Sequence, residues 1–223
     1  MNTTTNALPL RPLRYLLLLA MVIIAIAVTV YYYISAGDVA AMQAAREGGP
    51  IDFASAMGYF VCAALMVCLG GSHVVRHHWP LIITVTLLGL REMDFDKRFS
   101  TYGLFKSATL RAPDVSILEK GITLLVILAV VALFITLIRR YARTLLGSVL
   151  RLEAVSLITG FAGAMLIIAR ALDGAARKLA DFGIHLPHHS EVLTTITEEV
   201  IELGVPVTLM LAFLAYRRVY LRH

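Results

Sequence analysis

The chain is nearly without cysteine. Its two, Cys62 and Cys68, lie six apart in one apolar run; that is about 600° of helical rotation, so they face different ways and form neither a disulfide nor a metal pair. They read as small apolar fillers. Also missing are His-Glu-x-x-His, Glu-x-x-His, a serine in a nucleophile elbow, and any glycine-rich phosphate loop or dinucleotide fingerprint. Their absence removes the familiar signatures of zinc hydrolases, ferritin-like carboxylate sites, serine hydrolases and nucleotide-binding folds. The arginines are scattered singly along helix ends, with no basic groove and no aromatic platform, so no nucleic-acid partner is expected. No internal repeat and no low-complexity tract stands out.

What the chain has in abundance is apolar sequence. Of its 223 residues 59% are hydrophobic, and the mean hydropathy of +0.79 is too high for a soluble domain of this size. Six candidate spans follow: Tyr15–Ser35, Phe53–Ser72, Trp79–Phe95, Ile117–Ile138, Leu152–Leu172 and Thr195–Tyr216. The connections are short, so the expected fold is all-α: a polytopic integral membrane protein, one bundle of six transmembrane helices forming a single domain. The first span is too long for a signal-peptide core, and Tyr31, Tyr32 and Tyr33 at its exit suit an interfacial anchor, so it should be retained.

Local signals set several boundaries. Gly48-Gly49-Pro50 makes a turn before the second span, and a short helix is expected around Val39–Arg46. Gly70-Gly71-Ser72 closes that span, and His73 to Pro80 makes a very tight connection. His73 and His77 stand at i,i+4, a spacing that could serve a metal, but an interfacial position beside Trp79 is the simpler expectation. Ser116 and Glu119 form a capping box opening the fourth span. Gly-Phe-Ala-Gly-Ala at 160–164 permits close helix approach in the fifth, and Gly174 can end that helix.

Placing the N-terminus in the cytoplasm puts ten of the twenty Lys plus Arg on the inside, but only Glu153 of the fifteen acids. Basic clusters tight against spans one, four, five and six carry this orientation, with both termini inside a cell (inner) membrane. The net charge of +5 then describes a positive inner rim suited to anionic membrane lipids.

Against this background the charges inside the apolar runs are conspicuous. Glu198, Glu199 and Glu202 stand at the mouth of a run with no ionisable group from Gly204 to Tyr216. Counting back from Arg217, Glu202 lies roughly 22 Å into a hydrocarbon layer about 30 Å thick. In the third span only Trp79 to Leu90 is apolar before Arg91 and Glu92 arrive, and the fifth carries Arg170 and Asp173 at i,i+3. Intramembrane charges mark a working site facing the bundle interior. The basic and aromatic stretch Lys97–Pro113 reads as an interfacial cover.

Three readings compete. In the first, Glu92, Glu198 and Glu202 are catalytic. Glu92, Asp173, Glu198, Glu199, Glu202 and His185 hold a divalent metal (zinc, iron or manganese), and Arg91, Lys97, Arg98 and Arg170 hold the headgroup of a lipid or amphiphile being hydrolysed or oxidised. In the second the acids serve a cation or proton pathway, although the inner halves of spans four and six are bare of polar groups. In the third the charges are a structural network in an assembly or accessory protein.

Overall fold

The computed structural model describes residues 12–221, apart from 47, 96–99, 101, 105–106 and 152. The described helices are α1 Pro12–Ser35, α2 Asp38–Ala44, α3 Pro50–Glu92, α4 Ser107–Arg111, α5 Ile117–Leu150, α6 Ala154–Leu172, α7 Ala175–Ala180 and α8 His188–Tyr216. A π-helical turn, Arg217–Leu221, continues α8. Five of them, α1, α3, α5, α6 and α8, are long and apolar enough to cross a membrane. The protein is an all-α membrane bundle.

α3 crosses twice. A Cβ built on Gly89 would stand 3.0 Å from the Tyr59 Cβ and 3.3 Å from the Ala56 carbonyl oxygen, whereas a straight helix would separate residues 59 and 89 by about 45 Å. The chain reverses between Gly71, at φ 61 and ψ −165, and His78, at φ −122 and ψ 20. Gly71 adopts a conformation that side-chain-bearing residues rarely reach. Pro80 then falls in the first turn of the returning arm, where its missing N–H is no loss. Arms 50–70 and 79–92 are thus the second and third spans, and Pro50 opens the first arm after Gly48 at φ 70.

Several boundaries move. The returning arm stops at Glu92, with Met93 as its cap and Asp94 at φ 50, instead of reaching Phe95. The Asp94 N–H donates to the Arg91 carbonyl at 2.9 Å as the arm ends. α5 runs on past Ile138 to Leu150; at about 51 Å it outruns the hydrocarbon layer. Its N-cap is as expected, the Ser116 hydroxyl accepting from the Glu119 N–H at 3.2 Å. α6 begins at Ala154, Leu152 lying outside the described residues, and ends before Gly174 at φ 61. Within Lys97–Pro113 the described helix is α4 alone, five residues long, and Tyr102 donates to Asp114 Oδ2 at 2.7 Å. The short helix expected near Val39–Arg46 is α2.

α8 is the axis of the bundle. It packs most extensively on α6, and a Cβ on Gly204 would come within 2.5 Å of Met165 Cε, so a larger residue there would have to displace the ends of the Met165 and Ile26 side chains. Thr208 donates to the Gly204 carbonyl at 2.9 Å and contacts Met165 Sδ at 3.7 Å. α8 also starts earlier than expected, at His188. The added turns pack Val192 and Ile196 on Ala41, Ala44 and Ile51, which ties α2 to the bundle. α5 turns Ile117, Leu118 and Leu125 outward, the surface expected of a wall against lipid.

The alternating crossings gather the helix ends into two sets. One holds Asp52, Glu92, Asp173 and the glutamates of α8. The other holds the α3 reversal, the end of α5, and Tyr216. They are called below the acid end and the basic end.

Candidate functional site

Three helices contribute to the acid end, and each does so because a charge falls where its apolar run meets the bundle interior. Glu202 is the meeting point. Its Oε1 accepts from Arg91 Nη2 at 3.2 Å and lies 3.9 Å from Arg170 Nη2, so it ties the returning arm of α3 and the end of α6 to α8. Arg91 Nη1 also lies 3.7 Å from Glu92 Oε1, and Arg170 pairs with Asp173. The acids are the deep members: the Glu202 and Glu92 side chains are 7% and 6% exposed, against 40% for Arg91 and 50% for Arg170. The long arginine stems reach in from the rim, as snorkelling side chains do.

The first arm of α3 supplies residues that the sequence reading did not include. Asp52, Ser55 and Tyr59 form a polar stripe, and Tyr59 lies within electrostatic reach of Glu92, Glu202 and Arg91. Asp52 accepts from the Gly48 N–H at 2.7 Å through Oδ2, and its carboxyl lies within hydrogen-bonding range of Glu199. Glu92 and Glu202 make a second such pair. Glu198, about 100° round the helix from Glu199, faces Asp173 and Arg170 instead. The spacing of 52, 55 and 59 was a readable signal, but a span taken to begin at Phe53 left Asp52 in the loop.

Four buried side-chain oxygens here have no hydrogen-bond partner among the described residues: Asp52 Oδ1, Ser55 Oγ, Tyr59 OH and Glu92 Oε1. Such orphans are costly in a low-dielectric interior. The two carboxyl oxygens belong to acids that each have a second carboxyl within hydrogen-bonding range. A proton on one member of each pair would supply the missing donor.

The remaining expected site residues fall apart from this cluster. His185 is exposed and lines a small cavity of about 200 Å³ with Arg177 and Glu191. His189, four residues on, contacts Asp38 of α2 at 3.1 Å. Gly183, at φ 78, turns the chain before His185. Lys97 and Arg98 lie outside the described residues. Among the described residues no three His, Cys, Asp or Glu side chains are grouped to hold a metal ion.

At the basic end the half-buried polar contact is a completed one. His78 Nδ1 lies 3.0 Å from the Tyr141 hydroxyl and Nε2 3.0 Å from that of Tyr216, joining the α3 reversal to α5 and α8. His73 and His77 stack with centroids 4.5 Å apart. His77 Nδ1 meets the His73 carbonyl at 3.0 Å, which engages the nitrogen in a backbone contact.

The fold and these charges define a multi-pass helical membrane protein with ionisable groups buried between its spans. Compared with known protein families, known proteins and solved structures, the chain matches none.

Proposed function

We propose that the acid end is a proton-loading site, and that this membrane protein works by taking up and releasing protons there. The observation that carries the reading is the pairing of carboxyls: Asp52 with Glu199 and Glu92 with Glu202, each pair containing a buried oxygen without a donor. Two carboxyls in hydrogen-bonding range need a proton between them. A fastening device would match acids to bases. Among the described residues this cluster brings Asp52, Glu92, Asp173, Glu198, Glu199 and Glu202 together with Arg91 and Arg170, and unmatched buried charge is costly in a bilayer.

The site is one-sided. Below Tyr59 the same face of α3 continues through Cys62, Ala63 and Met66, where no carboxyl or imidazole among the described residues is placed to relay a proton onward. Protons therefore exchange with the acid face, which is the outer face of the cell membrane in the orientation that the basic clusters favour.

Infrared difference spectra of the purified protein across a pH titration test this. The carbonyl stretch of protonated, buried carboxyls should appear as pH falls, shrink in Glu92→Gln and again in Glu199→Gln. A spectrum without such a band at any pH overturns the reading. Elemental analysis separates it from the metal-dependent hydrolase or oxidoreductase: stoichiometric zinc, iron or manganese, lost in Glu202→Gln, would put that chemistry in its place.

A further inference from the structure

The basic end contains a cavity that the acid cluster does not use. It has a volume of about 530 Å³ and lies between the returning arm of α3, α5, α6 and α8, within the size range of small-molecule sites. Its inner walls are Met66, Val85, Leu209 and Phe213, and its floor reaches Cys62. Cys62 lies about 12 Å along the helix from Gly70, where the first arm ends, so the space is deep as well as apolar. At the mouth stand Arg140 of α5 and Glu153, just ahead of α6, with His78 held between Tyr141 and Tyr216. Arg140 is exposed, lies over the Tyr141 ring at 5.8 Å, and has no carboxylate within ion-pair distance among the described residues.

We infer that this cavity seats one acyl chain of an anionic phospholipid from the adjoining leaflet, with its phosphate against Arg140. Three features select that occupant. The walls suit a hydrocarbon chain, since the few hydroxyls among them, on Thr144, Ser148, Ser156 and Thr159, are outnumbered by apolar side chains. A single unpaired guanidinium at the mouth matches a phosphate, which it can hold bidentately. Glu153 on the opposite side of the mouth disfavours a second negative charge there and directs the head toward α5. The tyrosine-clamped His78 fixes the mouth, since a neutral imidazole offers one donor and one acceptor and both nitrogens are engaged.

Native mass spectrometry of the intact protein, delipidated in detergent and then mixed with dioleoyl-phosphatidylglycerol or dioleoyl-phosphatidylcholine, tests the inference. One phosphatidylglycerol should be retained per chain in preference to phosphatidylcholine. Arg140→Gln should weaken retention roughly tenfold, the effect of losing one charge-assisted contact, and Glu153→Gln should strengthen it. Ser148→Trp, which fills the cavity from α5, should abolish it. Should Ser148→Trp fail to fold, the two charge variants, both at the rim, still decide the matter. Equal retention of the two lipids, no retention by folded protein, or retention of added oleate but not of phosphatidylglycerol would each overturn the assignment.

Discussion

The two ends of this bundle solve the problem of buried polarity in opposite ways. At the basic end the arginines of α5 stay at the surface, and the buried polar contact is a neutral His78 between two tyrosines with both ring nitrogens engaged. At the acid end the carboxyls go inside, their arginines stay half in solvent, and oxygen atoms are left without donors. Completed pairing marks a joint. On the proposed reading, incomplete pairing, maintained where every unmatched charge is costly, is where protons come and go.

The sharpest way to break this contrast is to remove Arg91. Arg91→Ala strands Glu92, leaves Glu202 with Arg170 at 3.9 Å, and should lower stability by about 2–3 kcal/mol, at or just below the range for broken buried pairs because the guanidinium is partly exposed. Thermal unfolding in detergent would measure it. Combining Arg91→Gln with Glu92→Gln should be milder than the sum of the two, and strict additivity would deny that they form one network. Next in size is His78→Phe at the opposite end, with an expected loss of about 1–2 kcal/mol for two hydrogen bonds. That loss should be indifferent to salt, since no charge is involved. The smallest effect belongs to Tyr59→Phe. Its hydroxyl is buried without a partner, so deletion should change stability by roughly 0–1 kcal/mol in either direction. A loss clearly larger than that would mean the hydroxyl holds a partner at the acid end.

Much of this architecture could be read from the residues. Long apolar runs announced the crossings, Gly70-Gly71 and Pro80 announced the reversal, and Arg91, Glu92, Arg170, Asp173 and Glu202 stood out because a charge inside an apolar run has no cheap place to go. What escaped did so for local reasons. Asp52 sits among turn residues and reads as loop until Pro50 is recognised as the first residue of a helix. His185 belongs by type with acids, but a left-handed glycine two residues earlier carries it elsewhere. The continuation of α5 to Leu150 was hidden because its apolar stretch ends at Ile138, and hydropathy marks where lipid stops, not where a helix stops. The cavity at the basic end arises from four elements far apart in the chain, and no single stretch encodes it.

The reversal at Gly71 bears on how the chain gets into the bilayer at all. Residues 79–92 span only about 21 Å as a helix and end in an arginine and a glutamate, a poor candidate for independent insertion through a translocon. Bound to the longer arm by a few residues, the segment can enter as the trailing limb of a preformed hairpin, its tip charges sheltered against a partner already committed to the membrane. Biogenesis of the acid cluster would then depend on a bend at the far end of the molecule.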